Sequence, residues 1–417
     1  LKETKQSFEE KIKKTLYFNL PQNQQDFIRK RAYENRFSFQ ELKQIVDIAI
    51  DLNMWQESSL IDIWPYGKNR KQLLKELKQR YEEIKNSPKS YEKFDIDKEK
   101  THKIRFARID KKLGFGMCPV ASEKTRCCNL WTLDMVESCG YDCSYCSIQS
   151  FYNEDTVTFN TNLKEKLLSL KLDPDEIYHI GTGQSSDSLM WGNRGGVLEA
   201  LFEFARKNPN VILELKTKSD NVGYLLQNGV PKNIIVTWSL NPQTIIEKEE
   251  RLTASLKERI DAAKKLHDKG VIVGFHFHPM IYYKNWKEEY KEIFDILLEN
   301  FDPQRVALVS LGTLTFIKPV IKKLRLRSFR SKILQMPLVD AAGKLSYPKE
   351  IKKEMFGFAY DSLRKWHGKV FFYLCMEEHS LWREIFGREY PTNESFELDM
   401  KQSYLAKIRQ SADAKKK

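Results

Sequence analysis

Between residues 130 and 311 the chain alternates six short β-rich runs with amphipathic helical stretches, and no other feature limits the fold as tightly. The strands are read at 132–137, 177–181, 212–217, 234–240, 272–278 and 306–311. Helices are read between them at 163–170, 197–207, 221–227, 256–269 and 288–300. Strands spaced by helices pair in parallel through right-handed crossovers. Eight such units close into a barrel, whereas six leave one side open for a large substrate. The expected fold class is α/β, a partial (β/α)6 TIM-type barrel.

The flanks read differently. Residues 1–105 carry helical periodicity at 24–50 and 71–84 and no convincing strand. Residues 1–110 hold 24 Lys+Arg against 18 Asp+Glu, the mixed charge of a solvated helical cap. Between Asp302 and Asp340 there is no acidic residue, while Arg305, Lys318, Lys322, Lys323, Arg325, Arg327, Arg330 and Lys332 are all basic. A β-hairpin is expected over 332–348 with Gly343 at a left-handed turn position, followed by a helix at 349–366 and an apolar strand at 370–376. The expected organisation is an N-terminal helical region over 1–105, the barrel over 106–315 and a C-terminal hairpin, helix and strand extension over 316–417. With 8 Trp, 18 Tyr and 24 Phe the chain has core material in excess of any disordered protein. No apolar run approaches the ~20 residues that cross a bilayer, and the opening LKETKQSFEEKIKK has no apolar segment after its charges. No secretory signal and a cytoplasmic location are expected. The net charge of +13 makes a polyanionic partner plausible on charge grounds.

Six of the seven cysteines lie within 29 positions, Cys118, Cys127, Cys128, Cys139, Cys143 and Cys146, with Cys375 far off. Such crowding in a long chain points to thiolate ligation of metal rather than to a disulfide framework. Cys139-Gly-Tyr-Asp-Cys143-Ser-Tyr-Cys146, a C-x3-C-x2-C, follows the first strand on a loop at the barrel's carboxyl face. Three close thiolates hold three irons of a [4Fe-4S] cluster and leave the fourth open to a small molecule. Electron-transfer clusters and structural zinc sites instead fill four positions, and no His lies within twenty-five residues of the motif. An open iron is what reductive cleavage of S-adenosylmethionine requires, since the amino and carboxylate groups of that molecule chelate it.

In this context the motif, with Tyr145 before its last cysteine, resembles the radical SAM superfamily. From about 130 to 376 the chain further resembles the spore photoproduct lyase family. The matching stretches are GTGQSSDSL (181–189), ELKTKSDNVGYLL (214–226), VTWSLNP (236–242) and VGFHFHPMIYY (273–283), each spanning a strand's carboxyl end. The resemblance implies a [4Fe-4S] cluster on Cys139, Cys143 and Cys146, and S-adenosylmethionine contacts from Ser186, Lys218 and Ser239. Tyr145, Asp187, Asn241 and His278 are implied near the same cofactor. It also implies a lyase of DNA repair, a nucleic acid partner and a one-electron donor such as flavodoxin or ferredoxin.

Two positions depart from the family pattern. Gln184 stands where members that reverse the spore thymine dimer keep a hydrogen-donating cysteine, and an amide donates hydrogen atoms poorly. Val339 and Asp340 stand where those members wedge an Arg-Tyr pair into DNA, and an Asp is repelled by a phosphate backbone. The chain therefore reads as a paralogous branch. A radical enzyme acting on a peptide or small molecule, and a non-catalytic iron–sulfur or zinc module binding nucleic acid, stay open beside it. Cys118, Cys127 and Cys128 are read as a second cluster, a replacement thiol or buried hydrophobes, and Cys375 as buried. His276 and His278 alternate on one strand face, as a zinc pair or as adenosine or substrate contacts.

Overall fold

The computed structural model describes residues 8–96, 103–109, 113–118, 125–146, 156–327, 329–341 and 343–413. The chain divides into two compact units. One joins residues 1–98 to 316–340 and 344–346, and the other holds 99–315, 341–343 and 347–417. The stretch after 316 is thus shared between them.

The first unit is helical, with α1 (Gln22–Asn35), α2 (Phe39–Trp55) and α3 (Arg70–Asn86). The periodicity over 24–50 breaks into two helices at Arg36, which adopts left-handed φ of 51°. Ser38 then starts α2 through a reciprocal capping box with Glu41, worth about 1 kcal/mol. Within this unit part of the acid-free stretch forms the helix Lys318–Leu326, and its charge is partly spent on structure. Arg325 bonds the buried Asp51 at 2.6 and 2.7 Å, and Tyr81 donates to the same carboxylate at 2.8 Å. Lys332, 3% exposed, is bonded to Glu57 and to the Trp55 carbonyl. Arg325→Met strands Asp51 in the core and is expected to cost about 3 kcal/mol, read as a lower urea midpoint. The hairpin forms from Val339–Ala341 and Lys344–Ser346, and Gly343 takes φ of 83° as its position requires. Val339 is exposed, and Asp340 pairs with Lys318 at 2.8 Å.

The second unit is built on one eight-stranded sheet: β1 (Phe115–Met117), β2 (Trp131–Leu133), β3 (Tyr178–Thr182), β4 (Val211–Thr217), β5 (Ile234–Ser239), β6 (Ile272–Met280), β7 (Val306–Thr313) and β8 (Phe371–Leu374). Neighbours in the sheet are neighbours in sequence from β1 to β8. β1 is antiparallel to β2, and every later pair is parallel. The expected partial barrel is present and gains a seventh parallel strand, because the apolar run at 370–376 joins its far edge as β8. The run read as one strand at 132–137 is two: 131–133 enters the barrel, and Val136–Glu137 pairs with Thr156–Asn160 in a separate small sheet. Lys103–Ala107 completes that small sheet, a strand that the helical texture of the amino-terminal region concealed. β4, β5, β6 and β7 are buried almost throughout, as strands covered on both faces are, with polar residues such as Glu214 and His276 among them. A helix without a sequence expectation, Asn393–Asp413, packs against β4, β6 and β7.

Candidate active site

The carboxyl ends of the strands enclose a cavity of about 230 Å³. Cys139, Cys143 and Cys146 line it together with Gln184, Ser186, Asp187, Lys218, Ser239 and His278. The cavity thus gathers nine of the eleven residues singled out from the sequence. Tyr145 and Asn241 stand behind its wall.

The cluster loop is held by partners that the sequence does not advertise. Asp142–Cys143 pairs antiparallel with Glu250–Arg251, in register Cys143 to Glu250. Ser144 extends this lacing, its N–H donating to the Glu249 carbonyl at 2.8 Å and its hydroxyl to the Glu249 carboxylate. Gly140 is obligatory for close packing, because a Cβ there would lie 2.6 Å from the Trp191 ring. Glu250, fully buried, is the centre of the network. Its Oε1 accepts from Lys218 at 2.8 Å, from Asn241 at 2.7 Å and from the Tyr145 hydroxyl. Its Oε2 lies 2.7 Å from Arg259, which is equally buried. Burial alone would raise the Glu250 carboxyl; Lys218 and Arg259 overcome that and hold it well below the usual carboxylate range. The Lys218 ammonium also donates to the Tyr145 hydroxyl at 2.8 Å.

Asp187 serves the backbone. Its carboxylate accepts from the N–H groups of Leu189, Met190 and Lys218 at 2.9, 3.0 and 2.6 Å, and from Thr217 at 2.7 Å. It therefore ties the loop after β3 to the end of β4 and fixes where Lys218 leaves the strand. His278 is bonded to Ser310 at 2.6 Å, and burial holds it well below the usual histidine range. His276 faces another way, toward Glu214 at 2.6 Å, with His179 at 2.8 Å and Thr237 at 2.7 Å on the same carboxylate. The two histidines read as a pair on one strand face are thus bound to different partners. Among the described residues no three His, Cys, Asp or Glu side chains close round a point as a single metal ion requires.

The donor set fits an iron–sulfur cluster with one iron left to a ligand. A cubane takes each thiolate on a separate corner, so its ligands stand wider apart than those of one ion. Burial pushes the Cys139 thiol up to about 12 and raises Cys143 well above its ordinary value, with the neighbouring cysteines adding to both. Lys218 pulls Cys143 the other way. Metal binding relieves that mutual repulsion by taking the protons' place.

The model of the spore photoproduct lyase family matches residues 63–337. Its match reaches back into the helical unit, where the sequence stretches quoted above had shown no likeness. Spore photoproduct lyase of Clostridium acetobutylicum is 26% identical over 191 residues, 44% of this chain and 54% of that protein. The chain thus matches about half of that relative's length. Among solved structures, a spore photoproduct lyase variant superposes with a TM-score of 0.55 at 20% identity, over 65% of this chain and 82% of that one. Another variant, with bound AdoMet and dinucleoside spore photoproduct, gives 0.53 at 19% identity over 72% and 94%. At these identities the structural likeness is one of fold. The family match covers well over half of the 417 residues, and the chain belongs to the spore photoproduct lyase family.

Proposed function

We propose that this chain is a radical S-adenosylmethionine enzyme that abstracts hydrogen from nucleic acid, in photoproduct-lyase-like repair or modification. The observation that carries the reading is the single cavity shared by the C-x3-C-x2-C thiols and the strand-end polar residues. Cys139, Cys143 and Cys146 would hold a [4Fe-4S] cluster that, when bound, supplies the electron cleaving S-adenosylmethionine to a 5′-deoxyadenosyl radical. Ser186, Ser239 and His278, which line the cavity, would bind the cofactor's polar groups, and Asp187 would fix the strand end beside them. The Lys218 ammonium, shared with Glu250, presents a positioned charge to a carboxylate. Tyr145 and Asn241 act one layer back by orienting Lys218 and Glu250.

Gln184 lines the cavity, and by the family resemblance it stands where a hydrogen-donating cysteine is expected. Its amide can hold substrate by hydrogen bonds, so hydrogen return falls to another group. A relative is solved in complex with dinucleoside spore photoproduct, which favours a nucleic acid substrate here. Electrons would come from flavodoxin or ferredoxin. Among the described residues no helix is long and apolar enough to cross a membrane.

Anaerobically reconstituted protein given dithionite and S-adenosylmethionine is expected to release 5′-deoxyadenosine, and Cys143→Ala to release none. Absence of product from wild-type protein with a full iron complement would reject the enzyme reading and leave a binding module. DNA affinity is expected to fall about tenfold or more between 50 and 200 mM salt. A flat salt response would reject nucleic acid in favour of a peptide or small molecule.

A further inference from the structure

Four cysteines take no part in the cavity: Cys118, Cys127, Cys128 and Cys375. They are scattered over 258 positions of sequence, yet the sheet brings them together. Cys118 continues β1 and donates its N–H to the Leu130 carbonyl at 2.8 Å, next to β2. Cys127 and Cys128 lie on the segment that enters β2. Cys375 leaves the opposite edge of the sheet after β8, its N–H on the Leu311 carbonyl of β7 at 2.8 Å. The two edges meet where Arg126 and Glu377 form an antiparallel bridge, with the Arg126 N–H on the Glu377 carbonyl at 3.0 Å. Cys128 and Cys375 each lie two residues from that bridge. Arg126 and Cys127 are fixed in turn by Asn393, whose side-chain oxygen accepts from both.

All four cysteines are thiols, and they sense one another. Cys128 is raised well above its ordinary value by a hydrogen bond with Cys127, then by burial and by Cys375. Cys375 is pushed up to about 12 by burial, with Cys118 and Cys127 adding to it and Lys216 opposing. Lys216 reaches this group from the cavity wall, which it also lines. Burial works against the Lys216 ammonium and holds it below its ordinary value, while Cys375, Glu214 and Cys118 favour the charge. The Tyr404 hydroxyl, on the helix Asn393–Asp413, is buried beside Cys128 and finds no hydrogen-bond partner among the described residues.

We propose that Cys118, Cys127, Cys128 and Cys375 ligate a second iron–sulfur cluster at the seam of the partial barrel, with Lys216 between it and the first. Four cysteines complete the ligand set that an electron-transfer cluster uses. Among the described residues no three His, Cys, Asp or Glu side chains are set as a single metal ion requires, so one zinc ion does not fit the four thiols as they stand. An ammonium and an unpartnered hydroxyl are the groups that balance and hydrogen-bond a dianionic thiolate cluster. Its position, one lysine away from the cavity, suits passing an electron to or from the site.

The test counts iron and sulfide in the full chain, so it reads the second site whether or not the substrate reading holds. Wild-type protein reconstituted with ferrous iron and sulfide is expected to bind about eight irons, and Cys139/143/146→Ala about four. The reduced triple variant should show an EPR signal that S-adenosylmethionine does not change. Cys118/127/128/375→Ala should keep about four irons and a signal that S-adenosylmethionine does perturb. No cluster iron in a folded triple variant, or one zinc in place of iron, overturns the proposal. If a variant loses its circular dichroism spectrum, the wild-type protein decides. Two reduced signals, one insensitive to S-adenosylmethionine, support it, and a single wholly sensitive signal overturns it.

Discussion

Glu250→Gln is expected to destabilise the sheet unit by about 3–5 kcal/mol and to strip most of the iron from the cluster loop. Glutamine keeps the shape of the side chain but removes the charge against which two buried cations are balanced. Lys218 and Arg259 are 2.8 and 2.7 Å from the carboxylate, and Arg259 has no exposed surface. Removing one partner of a buried ion pair costs more than the pair itself contributes, because the other charge stays out of water. The same carboxylate orders Asn241 and Tyr145, and its backbone is laced to Cys143. Thermal unfolding of the apoprotein should drop by roughly 5–15 °C. Asp261→Asn provides the contrast: its pair with Lys257 is exposed, and its loss should stay within about 0.5 kcal/mol. Equal effects of the two changes, with full iron in both, would mean that the network does not hold the loop.

That network shows where sequence reading stops. The three cysteines were legible because thiolate spacing on one loop is local chemistry. Ser186, Lys218, Ser239 and His278 came from the family resemblance of the strand-end stretches, and all four line the cavity at the carboxyl ends of the strands. Glu249, Glu250 and Arg259 gave no such signal. Glu249 and Glu250 sit at the end of a short helix, in a run of charge (EKEERL) that looks solvated, and Arg259 lies on the next helix, Leu256–Asp268. Only the fold shows that the run turns inward. The edge strand β1 escaped because its three residues are too few for alternation to stand out, and β2, also three, was read only as part of a longer run. The apolar run near 370 was visible as a strand, but its place beside β7 depends on tertiary pairing. In the acid-free stretch the sequence hides partners in the opposite sense: the acids that Arg325 and Lys332 pair with come from α2 and the turn after it, Asp51 and Glu57, far away in sequence.

Acid stability should test the floor of the cavity with the sign fixed in advance. Glu214 is buried and accepts from His179, His276 and Thr237. Burial opposes its ionisation, but the two histidines outweigh that and hold the carboxyl well below the usual range. His276 is held down to about 4, by burial first and then by Lys216. It therefore stays neutral in the native state at neutral pH, with Nε2–H as donor and Nδ1 unpartnered among the described residues. Between pH 6.5 and 4 the unfolded chain takes up a proton that native His276 refuses, so stability falls as pH falls. One such group amounts to about 2 kcal/mol lost between pH 7 and pH 5. His278, also depressed by burial, adds a loss of the same sign. Protonation of Glu214 adds a further loss only at more acid pH, below its unfolded value. His276→Gln retains a side-chain donor but not the titration, and should flatten the urea-midpoint profile between pH 7 and pH 5 by about 2 kcal/mol. A steeper fall in the variant than in the wild type would mean that His276 is already protonated at neutral pH and paired with Glu214 as an ion pair, since such a group adds stability as pH falls. The two outcomes assign different charge to the site. A neutral histidine leaves Lys216 and Lys218 as the cationic groups of the cavity wall, which is the arrangement that favours an anionic cofactor or substrate.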